Sequence, residues 1–244
     1  MDYIAENVNR STEDGNFSSV SFGYGLQRNE NDGIDDLLKE AAHFMHKRKY
    51  YNQRSASGNM VRVIMQTLFE KSVREKEHSE RVGLFCKAIA QKMGMKKEAV
   101  NKIWIAGLLH DIGKIGIEEE ILNKPGKLND KEWEIIKTHT ARSARILENT
   151  VEYKDLATIV LSHHERYDGK GYPYGLKGEE IPIESRIIAV ADSYDAMTQE
   201  RTYRQTVSKE TAIKEIESCS GTQFDPDVVL AFTKKVMTDK TIEA

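Results

Sequence analysis

The chain has 244 residues, 36 of them basic and 39 acidic, for a formal charge of -3. That length holds one or two domains and is ample for a buried core. The near-neutral balance argues against a duplex-DNA binder, and two cysteines, Cys86 and Cys219, exclude a disulfide scaffold or a cysteine-built zinc site.

No stretch approaches the ~20 apolar residues of a membrane span. The start, MDYIAENVNR, lacks a basic-then-apolar leader. A cytoplasmic protein with no membrane span is therefore expected. In the first 56 residues, Phe17 to Gly25 alternates apolar and small polar residues, the period of a strand. Asp32 to Tyr51 then reads as one helix, which carries His43 and His46 on its surface. One strand and one helix cannot bury a core alone, so this segment must lean on something else.

From about 57 to 112 the apolar spacing is helical, as in Val61, Ile64, Met65 and Leu68, then Val82, Phe85 and Ile89, then Val100, Ile103 and Trp104. All four prolines lie at 125 or later, which suits long helices before them. Lys124 to Lys127 is a turn. Asn129 and Glu132 read as a helix cap with its reciprocal acid, opening a helix through about 148. Another helix is expected from about 153 to 164. Glycine-rich Asp168 to Pro182 reads as a long ordered loop, and Ile183 to Thr198 as a buried helix. Ser208 caps a short helix, and Asp225-Pro226 opens the last one. The fold class is mainly α, a helical bundle with one long loop plus the short N-terminal strand and helix.

The chemistry lies in the histidines. His110-Asp111 ends an apolar helix, and His163-His164 repeats the arrangement at the end of a later one. Taken singly, each pair also fits a solvated helix end. His78 and His139, each alone on a helix, also fit ordinary surface or core positions. Asp192 sits in Ile187-Ile-Ala-Val-Ala-Asp192, where an unpaired carboxylate costs several kcal/mol. A divalent cation or an arginine would pair it. Together the bland readings weaken, because five of the seven histidines lie on four successive helices. His78, His110, Asp111, His139, His163, His164 and Asp192 exceed what one catalytic zinc uses. With Asp111 bridging, they suit two ions, a bridging hydroxide and a substrate oxygen. That is a two-metal hydrolytic site.

These residues resemble a known family. His110-Asp111-Ile-Gly-Lys114 resembles the signature of HD-domain phosphohydrolases. His163-His164-Glu165-Arg-Tyr-Asp168-Gly169-Lys-Gly171-Tyr172-Pro173 resembles the hallmark of their HD-GYP subgroup, and the likeness continues through Asp192, Asp195, Arg201 and Arg204. It covers roughly residues 60 to 238. The resemblance implies an HD-GYP domain over 57–244 that hydrolyses cyclic di-GMP, with linear pGpG the expected product and GMP the alternative. It places the metal ligands on the same seven residues and makes Asp111 and Lys114 catalytic. It gives Lys114, Tyr172, Arg201 and Arg204 phosphate or substrate contacts. Asp168 and Asp195 are expected to support the loop and the ligands rather than bind metal.

Members with three metals carry a Glu one turn before the first His, where this chain has Arg74. Glu75 and Glu77 are read as out of register, so two ions are expected. Iron or manganese leads, with cobalt, nickel and zinc also suited to this donor set. Residues 1–56 are similar to the end of a GGDEF domain without its glycine-rich catalytic signature, a remnant and linker. A GGDEF-domain protein and a second copy of the chain are the expected partners, since an orphan strand edge invites pairing. Alternatives are a silent cyclic-dinucleotide receptor, a GGDEF-interaction module, and a hydrolase of cyclic GMP-AMP or another nucleotide.

Overall fold

The computed structural model describes residues 60–199 and 207–233. The readings made for the first 56 residues, for His43 and His46, and for Arg201 and Arg204 lie outside the described residues. Helix α1 is described over 60–71 and is followed by α2 (Val73–Lys92), α3 (Lys97–Leu109) and α4 (Glu119–Leu122). Next come α5 (Asp130–Glu148), α6 (Ala157–Leu161), α7 (Ile183–Thr198), α8 (Lys209–Ser218) and α9 (Pro226–Ala231). Short 3-10 turns span Ile112–Gly116, Lys154–Leu156 and Gly178–Glu180. Among the described residues there is no strand, only one isolated bridge between Ser220 and Phe224. The fold is mainly α, as expected. No described helix is long and apolar enough to cross a membrane.

Local chemistry sets the helix ends. Ser72 separates α1 from α2 and accepts from the Glu75 backbone N–H. Asn129 and Glu132 form the expected capping box at the start of α5. Ser208 caps α8, and Asp225 caps α9 with Pro226 in its first turn. The helix expected from 153 to 164 is shorter. A 3-10 turn leads into α6, which stops at Leu161, so both His163 and His164 lie in the turn beyond it.

The core runs through Ile89 on α2, Ile103 on α3, Leu147 on α5 and Ile187 and Ile188 on α7, all fully buried. Helix α2 packs against both α3 and α7. The α2–α3 contact is close because small residues line it. A methyl group on Gly107 would come within 2.9 Å of the Cys86 sulfur and 3.1 Å of the Gly83 Cα. This crossing holds the end of α3 beside the middle of α2, and α5 packs on the 3-10 turn that follows α3.

Candidate metal centre

Six structural features deliver the seven candidate ligands. His78 lies on α2, His110 caps the end of α3, and Asp111 opens the next 3-10 turn. His139 lies on α5, His163 and His164 follow α6, and Asp192 lies on α7. The structure brings all seven together. Donor atoms of His139, His163 and His164 form one group, those of His78, His110 and Asp192 a second, and those of His110, Asp111 and His163 a third, each within 4.8 Å. Asp111 sits between the first two groups. Its Oδ1 is 3.1 Å from His139 Nε2, and its Oδ2 is 3.1 Å from His110 Nε2 and 3.6 Å from His78 Nε2. Asp192 Oδ1 is 3.3 Å from His78 Nε2, so its neighbour is an imidazole rather than an arginine.

The far side of four rings is tied down. Nδ1 of His110 lies 2.7 Å from the Gly107 carbonyl, that of His139 2.6 Å from Ile136 O, and that of His163 2.6 Å from Val160 O. His78 Nδ1 lies 2.7 Å from the Asp195 carboxylate. Each partner is an acceptor, which keeps the proton on Nδ1 and turns a bare Nε2 inward. His110 Nε2 and Asp111 Oδ1 are buried with no hydrogen-bond partner. Leaving such atoms unpaired costs ~1–3 kcal/mol each. A divalent cation suits an imidazole nitrogen and a carboxylate oxygen alike, so the donor set fits a metal.

The electrostatics agree. Burial, reinforced by the neighbouring imidazoles, holds His163 and His164 well below the ordinary histidine range, as neutral rings. Burial would raise the Asp111 carboxyl, but His110, Lys114 and His139 outweigh it and hold it well below its usual range. His78 is the exception among the four rings: burial would lower it, yet the carboxylates of Asp111, Asp195 and Asp192 push it up to about 9, so its inward Nε2 also holds a proton that a bound cation would displace.

The turn between Asp111 and Lys114 is fixed by Ser143 of α5. Its hydroxyl accepts from Gly113 N at 2.8 Å and donates to His110 O at 2.9 Å. A methyl group on Gly113 would fall 2.2 Å from His139 O, so the two ligand-bearing segments touch backbone to backbone. Lys114 Nζ lies 2.6 Å from Asp111 Oδ2 and 2.9 Å from Glu75 Oε2. That corrects the reading of Glu75. Three residues before His78, it shares that residue's helix face and is only 3% exposed, whereas Glu77 points outward. The spacing gives its helix face, but not its pairing with Lys114.

Asp195 grips His78 and the Arg81 guanidinium. Tyr172 lies beside His164, ring centroids 4.9 Å apart. Its loop is folded back tightly, because a methyl on Gly171 would meet Arg166 N at 2.3 Å. Buried Glu165, not singled out from the sequence, accepts from Tyr174 N and Leu176 N and so sets the loop's course. Asp168 stays away from the donors and pairs with Arg166, which also reaches Gln223.

Comparison with known proteins agrees with this geometry. A family profile described as HD domain matches residues 62–228. Over 166 residues the chain is 51% identical to a cyclic di-GMP phosphodiesterase of Thermotoga maritima, covering 66% of this chain and 45% of that protein. It is 40% identical over 159 residues to the 3'3'-cGAMP-specific phosphodiesterase 3 of Vibrio cholerae, covering 64% and 34%. The chain thus spans less than half the length of these curated relatives. Two solved structures share the fold. One is a V. cholerae cyclic GMP-AMP phosphodiesterase, with a TM-score of 0.55, 19% identity and coverage of 74% and 50%. The other is the PgpH HD domain of L. monocytogenes with cyclic-di-AMP, with a TM-score of 0.51, 18% identity and coverage of 72% and 94%. At these identities the likeness speaks for the fold alone. With the profile spanning well over half of its residues, the chain belongs to the HD-domain family.

Proposed function

We propose that the chain is a metal-dependent phosphodiesterase that opens cyclic di-GMP to linear pGpG, with GMP the alternative end product. The observation that carries this reading is Asp111, whose two oxygens face two separate groups of inward-turned ligands. The 51% identity to a cyclic di-GMP phosphodiesterase supports the substrate.

His139, His163 and His164 would hold one divalent ion, and His78, His110 and Asp192 another, with Asp111 shared. Iron or manganese leads, and cobalt, nickel and zinc suit the same donors. Ions bound there lower the pKa of water and neutralise charge on a phosphate oxygen. Lys114 adds a fixed positive charge beside Asp111. Tyr172 borders the same cleft, and Arg201 and Arg204 are proposed as further phosphate contacts. Asp195 orients His78, and Asp168 steadies the loop through Arg166. The count of two rests on Arg74 and on Lys114, whose ammonium already engages Glu75. A third ion at Glu75 would have to displace it.

Residues 57–244 are read as the HD-GYP domain, and 1–56 as a linker and a remnant resembling the end of a GGDEF domain. A GGDEF-domain protein and a second copy of the chain are the proposed partners, in the cytoplasm. The 40% identity to a cGAMP-specific relative makes cyclic GMP-AMP the rival substrate. The test is anaerobic purification, metal loading and assay of both dinucleotides beside Asp111→Ala. Hydrolysis of cyclic di-GMP that Asp111→Ala abolishes supports the reading. An inactive loaded parent, or an active variant, contradicts it.

A further inference from the structure

The cleft over the metal centre has two unlike walls. One is the polar floor of imidazoles and carboxylates. The other is apolar and includes Ile121, Leu128, Trp133 and Ile136. Trp133 is 48% exposed, although a tryptophan is usually withdrawn from water. We propose that the Trp133 indole is the platform on which one nucleobase of the substrate stacks. This inference rests on the cyclic-dinucleotide reading above and names a residue that adds to its affinity for the base.

Position supports it. Trp133, Ile136 and His139 follow one another at three-residue steps on α5, each step turning about 60° around the axis, and all three line the cleft. The rise between Trp133 and His139 is about 9 Å along the axis. The row thus leads from an aromatic face down to a metal ligand, which suits a ligand with a flat apolar end and an anionic end. The platform is held firmly. Trp133 N donates to Asn129 O at 2.8 Å, the first turn is locked by the Asn129–Glu132 capping box, and Lys124 pairs with Glu132 at 2.6 Å. A bare phosphate would need no such wall. Stacking on an aromatic face is open to any base, so the platform adds affinity without choosing guanine over adenine.

The test compares parent, Trp133→Ala and Trp133→Phe, all metal-loaded. For Trp133→Ala the KM for cyclic di-GMP is expected to rise about five- to hundred-fold, with kcat within twofold. Inhibition by inorganic phosphate, which meets only the floor, should keep its constant. Trp133→Phe should recover most of the loss. In a Trp104→Phe background, where Trp133 is the remaining tryptophan, cyclic di-GMP should quench the fluorescence. An active parent whose KM is unmoved by Trp133→Ala overturns this inference and leaves the phosphodiesterase reading standing. A shift in both KM and phosphate inhibition also overturns it, because Trp133 would then act through the metals. Quenching by cyclic di-GMP without hydrolysis keeps the platform and sinks the enzyme. No quenching and no hydrolysis sinks both.

Discussion

His78 shows how single contacts build the site. Its own polar stretch of helix does not single it out, yet its ring is buried with one nitrogen on Asp195 and the other facing Asp111 and Asp192. Outer partners of this kind orient a ligand and raise its basicity. Asp195→Asn is therefore expected to weaken metal binding about 10- to 100-fold, measured by chelator competition. A variant with parent affinity would show that Asp195 serves the fold only. Gly113 makes a second case. The methyl of Gly113→Ala has only the His139 carbonyl and Ser143 to meet. Overpacking of this kind costs about 1–3 kcal/mol or more, and denaturant melts should show it. All seven donors were legible because the HD and HH pairs are local and the rest recur on helices around them. Glu75 and Glu165 were not. Their roles depend on which way Lys114 reaches and how the loop folds back, and neither is written in local spacing.

Among the elements, the helices were legible where caps and periodicity agreed. The capping box of α5 and the bounds of α7 follow the sequence closely. The stretch after 153 was overextended, because its apolar run does not reveal that α6 stops and a turn presents the two histidines. Asp225 ties two elements together, capping α9 while binding the partly buried Arg186 of α7. Asp225→Ala should cost about 3–5 kcal/mol by stranding that guanidinium. Asp225→Asn keeps a capping oxygen and should cost less, about 1.5–3 kcal/mol. Equal losses in thermal melts would deny the ion pair its role. In the loop, hydrogen bonds from Arg166 hold the Asp168 carboxyl at about 2, below its ordinary 3.8. The contribution of this carboxylate is complete above 3.8 and is lost as the pH falls toward about 2. The stability gap between parent and Asp168→Asn should be flat near neutrality and close across that window. A gap that persists at the acid end would contradict the pairing.

For the whole molecule, the candidate ligands come from α2, α3, α5, α7 and the turns after α3 and α6, so a metal bound by them would be coupled to the fold. Ligand that binds only the folded chain stabilises it by about 2.7 kcal/mol at a hundredfold excess over Kd. For a chain of this size that is about 5–10 °C in Tm. Chelation should lower Tm by that order, and Asp111→Ala should remove most of the difference. The near-neutral charge fits the proposed function, in which the positive charge facing an anionic substrate would be local and largely metal. The central claim is that these seven side chains form one two-ion centre. Elemental analysis of anaerobically purified, metal-loaded protein tests it most directly. The account predicts two transition-metal ions per chain, falling below one in Asp111→Ala. Three ions per chain, or none in the parent, would contradict it.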